Sequence, residues 1–111
     1  MARSIIWSPD ARADLREIEA YIAVSSPRSA CRVIERIQEA ATKLVDFPYA
    51  ARMVPELQDP DRRETFVHEY RLMYRIEAHT ISILRVVHGR RLLGNVPGSF
   101  EEPGQEGYKA A

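Results

Sequence analysis

The sequence predicts an α+β domain in which an N-terminal strand and an antiparallel helical hairpin cover one face of a small, mainly antiparallel sheet, in the order β-α-α-β-β-β. Three observations carry that expectation. Ser8-Pro9 and Ser26-Pro27 each open a stretch whose apolar residues recur at helical spacing. Tyr70 to Leu93 joins a strand alternation to a β-branched run. No acidic residue occurs from Ala78 to Phe100, so positive charge gathers at the end of the last strand.

Arg3 to Trp7 brings Ile5, Ile6 and Trp7 together, enough for one strand, and Ser8-Pro9 stops it. Ser8 is a natural N-cap, Pro9 takes the first helical position where its missing N–H costs nothing, and Asp10 complements the helix dipole. Ala11, Leu15, Ile18 and Ile22 form one stripe, widened by Tyr21, while Arg12, Arg16 and Glu19 face water. The second start signal follows after a short connection, so the second helix folds back on the first. Its stripe is Ala30, Ile34, Ile37, Ala41 and Leu44, with Val33 beside it, and Phe47-Pro48 is its stop. Trp7 joins these stripes in the expected core.

Between Tyr49 and Arg63 the chain reads as a loop with an Asp59-Pro60-Asp61 turn, leaving room for a short edge strand at Arg52 to Val54. Glu64 to Glu69 reads as a strand with Phe66 inward. Leu72, Tyr74 and Ile76 then alternate with Arg71, Met73 and Arg75, and after the break at Ala78-His79 the run Thr80 to Val87 completes a hairpin. Its two apolar faces place it centrally in the sheet. With Leu72, Tyr74 and Ile76 towards the helices, Arg71 and Arg75 point to the opposite, open face. Residues 1–93 are thus expected to form the domain and 94–111, rich in Gly, Pro and Glu, a flexible tail.

At 111 residues and 45% hydrophobic composition the chain can bury one core. No apolar run approaches the ~20 residues that span a bilayer, and the N-terminus lacks a signal-peptide pattern, so a cytoplasmic protein without membrane contact is expected. Cys31 is the single cysteine. Neither a metal site nor a cofactor is expected from it or from the scattered histidines. A net charge of zero argues against direct, sequence-specific nucleic-acid binding by this chain alone. Neither a nucleophile–base spacing nor a glycine-rich phosphate loop is present. Arginine dominates the basic residues. Arg71, Arg75, Arg85, His88, Arg90 and Arg91 are the candidate contacts for acidic protein groups or nucleic acid. Solvated arginines paired with Glu64, Glu69 and Glu77 explain any single position equally well, and His79 reads as a turn residue.

The opening IIWSPDARADLREIEAYIA, the helix start SPRSA, the DFP stop, the RMVPEL loop, the YRLMYRI strand and the ending ILRVVHGRR occur in an order and spacing that carry a family resemblance. From Ser4 to Leu93 the chain resembles the RelE/ParE toxin superfamily of type II toxin–antitoxin systems, and within it the ParE branch of plasmid-stabilisation toxins. One departure is Ala51, where family members commonly have Gly before the Arg of the loop. The resemblance implies the fold above, a cognate antitoxin as obligate partner, and growth arrest by the free toxin. ParE-like members act on DNA gyrase, stalling it with cleaved DNA, whereas RelE-like members cut mRNA in the ribosomal A site.

A non-catalytic gyrase poison is the preferred expectation, an mRNA endoribonuclease the alternative, and an antitoxin-binding module without toxicity a third. For the ribonuclease, the resemblance offers Glu56, Arg71 and His88 as catalytic residues. Gly89 stands where a tyrosine commonly follows that histidine. The gap matters because RNA cleavage needs a base, an acid, a cation for the phosphorane charge, and an aromatic to stack the base.

Overall fold

Residues 3–89 are described in the computed structural model of the chain, and each Ser-Pro pair starts a helix there. In helix α1, Pro9–Ala23, the Ser8 hydroxyl accepts the Ala11 N–H at 2.9 Å; in α2, Pro27–Lys43, Ser26 accepts from Ser29 at 3.1 Å. Both caps satisfy an N–H that the first helical turn leaves without a partner. Helix α2 closes at Leu44, a few residues before Phe47-Pro48. The buried Leu44 side chain ends the apolar stripe, residues 44–46 form a turn, and Phe47 is 75% exposed.

The strands are β1, Ser4–Trp7; β2, Arg52–Met53; β3, Arg62–Val67; β4, Tyr70–Ile76; and β5, Thr80–His88. They form one sheet in the order β1-β5-β4-β3-β2, with β1 parallel to β5 and the remaining pairs antiparallel. The hairpin with two apolar faces is therefore central, as its pattern implied. The β4–β5 ladder carries a register shift between Met73 and Tyr74, the mark of a β-bulge or irregularity.

Leu72, Tyr74, Ile76, Ile81, Ile83 and Val86 pack against Ala11, Ile18, Ile37, Ala41 and Leu44, while Trp7, Leu15, Ile22 and Ile34 lie at the margin of that core. Burial should set the mutational cost. Ile37→Ala, at a fully buried site, should lower stability by roughly 3 kcal/mol, and Ile34→Ala by visibly less, when chemical-denaturation midpoints are compared. Equal losses would contradict this ranking of the α2 face.

Two expectations need correction. Phe66 is 51% exposed rather than inward, because β3 begins at Arg62 and the alternation that buries Glu64 carries Phe66 onto the sheet face away from the helices. That face is also less open than expected: Val54, Met73 and Val87 form a second buried cluster, with Leu57 packed on it, so the loop from β2 to β3 crosses there. Ala51 needs no glycine, since positive φ among the described non-glycine residues occurs only at Gln58 and His68. The buried Tyr74 hydroxyl donates to the Pro48 carbonyl at 2.6 Å and ties the end of the helical hairpin to the sheet; burial pushes its pKa up to about 12.

Candidate functional site

On the face away from the helices, the β3–β4 register sets Phe66 beside Arg71 and Glu64 beside Met73. Arg71 is 4% exposed, so its charge is met inside the protein. Its Nε donates to Glu64 Oε1 at 2.8 Å, and its two terminal nitrogens donate to Glu56 Oε2 and Oε1 at 3.0 and 2.7 Å. Glu64 Oε2 accepts from Arg52 Nε at 2.6 Å. Two cations and two carboxylates thus alternate along one chain, Glu56–Arg71–Glu64–Arg52, which neutralises itself. The Arg52 guanidinium lies 5.3 Å from the centre of the exposed Phe66 ring.

The cluster also sets an acid response. Hydrogen bonds from Arg71 hold the Glu56 carboxyl below its ordinary value, against the opposing effect of burial. A carboxylate whose folded pKa is lowered contributes stability above its unfolded pKa and loses that contribution as pH falls through the folded value. The wild-type denaturation midpoint should therefore drop as pH falls from the ordinary carboxylate range, about pH 4, downwards. In Glu56→Gln that drop should be shallower. Parallel profiles for the two proteins would contradict a paired Glu56.

His88 lies on the other face. It pairs with Tyr70 across the β4–β5 ladder, the two rings meet edge-on at 5.8 Å, and Tyr70 packs on the helix-side core. His88 Nε2 is 3.0 Å from Glu69 Oε1. Since Tyr70 and Arg71 are consecutive in one strand, their side chains leave opposite sides of the sheet. Of the ribonuclease candidates, Glu56 and Arg71 are therefore brought together and His88 is separated from them.

Arg85 is 5% exposed and takes part in neither group. Strand β1 pairs with β5 only as far as Ile83, and beyond that point Asp14 of α1 takes over: it accepts the Val86 N–H at 2.8 Å and the Arg85 Nε and terminal nitrogen at 2.8 and 2.9 Å. Arg75 sits half-buried between Arg62 and Ser82. Arg90 and Arg91 lie outside the described residues, as does the tail 94–111. The arginines expected to point at solvent from the strands are thus largely drawn inward, because Asp14, Glu56 and Glu64 supply carboxylates where desolvation would otherwise forbid a guanidinium.

Asp14, Glu64 and Arg52 were not among the expected site residues. Asp14 had a signal: it occupies the buried stripe between Ala11 and Ile18, where a lone acid requires a buried partner. Glu64 shares strand parity with Phe66, which hid behind the assumption that Phe66 points inward.

An apolar groove of about 460 Å³ opens beside the helical hairpin, lined by Ile5, Ile6, Trp7, Arg12, Leu15 and Gln38. Among the described residues no helix is long and apolar enough to cross a membrane.

With this geometry in hand, residues 5–93 match the family model described as the ParE toxin of the type II toxin–antitoxin system parDE. The chain belongs to the ParE toxin family. Within the wider RelE/ParE superfamily, this ParE-family toxin is 31% identical over 88 residues to toxin RelE2 of Caulobacter vibrioides, covering 79% of this chain and 97% of that protein. It superposes on a chain of the chromosomal ParDE system from P. aeruginosa with a TM-score of 0.65 at 23% identity, covering 78% of this chain and 96% of the other. A double arginine-to-alanine mutant of E. coli RelE in the free state gives 0.60 at 17% identity, covering 81% and 86%. The RelBE2 toxin–antitoxin complex of Mycobacterium tuberculosis gives 0.54 at 25% identity, covering 79% and 99%. The ParE-family toxin thus has the α+β architecture that its sequence predicts, and it is the toxin component of a type II system.

Proposed function

We propose that this ParE-family toxin arrests growth as a non-catalytic poison of DNA gyrase and is neutralised by direct binding of a cognate antitoxin. The observation that supports the first part best is the separation of the acid–base candidates. Arg71 is committed to two carboxylates on one sheet face, and His88 is paired with Glu69 on the other. Phosphodiester cleavage by 2′-OH attack would need base, acid and cation converging within about 3 Å of one phosphate. A contact mechanism needs no such convergence. The determinants proposed for gyrase are His88, Arg90 and Arg91 with the segment that follows them in sequence; Arg85, expected to act with them, is instead buried against Asp14. Single alanine substitutions at these positions should weaken inhibition of supercoiling only a few-fold, because a contact surface that spreads its charge over several residues loses little with any one of them.

The antitoxin is proposed because one superposed relative was solved as a toxin–antitoxin complex. The groove at Trp7 and Leu15 suits the apolar stripe of an amphipathic helix. The uncovered part of β3 suits an extended segment, since β2 pairs only with Arg63 and Glu64. Co-expression with the adjacent gene and affinity purification should recover a stable complex. A soluble, non-toxic protein purified without any partner would contradict this.

The second reading, an mRNA endoribonuclease, is favoured by the 31% identity to a protein named RelE2. In that reading Glu56 and Arg71 act in catalysis, and Arg71→Ala should lower single-turnover cleavage on the order of 10²-fold or more.

A further inference from the structure

We propose that β1 is a self-pairing edge: the outer side of Ser4–Trp7 takes the same strand of a second copy of this chain, antiparallel, about a two-fold axis at Ile6. The backbone bonds decide which groups are available. The Ser4 N–H donates to the His79 carbonyl at 3.1 Å and the Ser8 N–H to the Ile83 carbonyl at 3.0 Å. Bonds in a parallel ladder fall on every second residue, so Ser4, Ile6 and Ser8 turn their backbone groups to β5, and Ile5 and Trp7 turn theirs outward. Strand β1 ends the sheet, and among the described residues no strand lies beyond it. The Trp7 carbonyl accepts from Arg12 Nη1 at 2.8 Å, which leaves its second lone pair for another N–H.

A second copy matches each of these groups. With Ile6 opposite its counterpart, Ile5 of either chain faces Trp7 of the other, and each such pair exchanges two N–H···O bonds. Ile5 and Trp7 pack on the helix-side core, so Ile6 leaves the opposite face, where it is 42% exposed and would meet its own counterpart across the axis. Charge favours a copy of this chain at β1 over the other end of the sheet. Ser4 to Trp7 carry no charge, and Arg3 is drawn inward to the Glu77 carbonyl at 2.6 Å, so this edge lacks the charged side chains that keep edges apart. Strand β2, at the other end, carries Arg52 with 57% of its side chain exposed, which a copy would bring towards its like. A chain of zero net charge has no overall repulsion against its copy. The groove at Trp7 and Leu15 adjoins this edge, so self-pairing is a property of the toxin before a partner occupies that groove, whichever target the toxin has. Three paired residues per chain make a small interface and hence a weak, concentration-dependent dimer.

Sedimentation velocity on the purified full chain, without antitoxin, tests this. The sedimentation coefficient should rise from monomer towards dimer over about a hundred-fold rise in concentration. Ile6→Lys and Ile6→Glu, at an exposed position, should each remain monomeric because like charges then face each other across the axis, and an equimolar mixture of the two should dimerise again. The pair on the axis is a non-hydrogen-bonded one with Cα atoms about 4.5 Å apart, a spacing that a disulfide spans. Ile6→Cys in a Cys31→Ser background should therefore crosslink under mild oxidation and Ile5→Cys should not, a readout that needs no charged variant to fold. A wild type that stays monomeric throughout, Ile6→Lys dimerising like wild type, a mixture that stays monomeric, or Ile5→Cys crosslinking as readily as Ile6→Cys would each overturn the proposal.

Discussion

Asp14→Ala should destabilise the protein by about 3–5 kcal/mol, enough to unfold a large share of so small a domain. Asp14 satisfies three donors at once, two on the guanidinium of Arg85 and the N–H of Val86, at a point where β1 no longer covers β5. Alanine would remove two hydrogen bonds from a 5%-exposed guanidinium and the acceptor of a strand N–H, where lost pairing is costly. The charge, rather than the shape, should dominate the loss. Asp14→Ala combined with Arg85→Met should therefore recover much of it, since an apolar side chain of similar length needs no acceptor. Urea denaturation of the single and double variants checks this. An additive or larger loss in the double variant would contradict it.

Glu64→Gln should be the other severe change, again about 3–5 kcal/mol, because Glu64 is the fully buried carboxylate between two arginines. Arg52 keeps 57% of its side chain exposed and can return to water, so the loss falls on Arg71, which has no such escape. Glu56→Gln should cost clearly less, since that carboxylate is partly exposed and its turn can relax. The order of the two midpoints is the test. A larger loss at Glu56 than at Glu64 would mean that the cluster is anchored from the loop and not from the strand.

Most of the fold was legible because its signals are local. The Ser-Pro starts, the helical stripes and the alternation of Leu72, Tyr74 and Ile76 depend on neighbours a few residues away, and each led to the element and face expected, except that Tyr21 is 79% exposed and does not widen the α1 stripe. The site was harder because it depends on pairs distant in sequence. Arg71 meets Glu56, fifteen positions away, only after the loop from β2 crosses the sheet, and Arg85 meets Asp14 across 71 positions. Strand parity alone sent Arg71 to the far face correctly, and Glu64 was named as a possible partner for the strand arginines, but as a solvated pair rather than a buried one. The second carboxylate, Glu56, was not foreseen as its partner. The same limit misdirected Phe66, whose hydrophobicity suggested burial while the register of β3 against β4 decided exposure. His88 was grouped with Arg71 by family likeness, and the Tyr70–His88 pairing shows that proximity along the strands does not make a shared site.

The most direct measurement is to titrate the purified toxin into a gyrase supercoiling reaction and, in parallel, into ribosomes programmed with a defined mRNA. The account predicts that supercoiling is inhibited with cleaved DNA trapped on gyrase while the mRNA stays intact, and that folded Arg71→Lys retains this inhibition. Cleavage of the mRNA at codon positions with gyrase unaffected, abolished by the same substitution, would contradict it and make Glu56 and Arg71 catalytic residues.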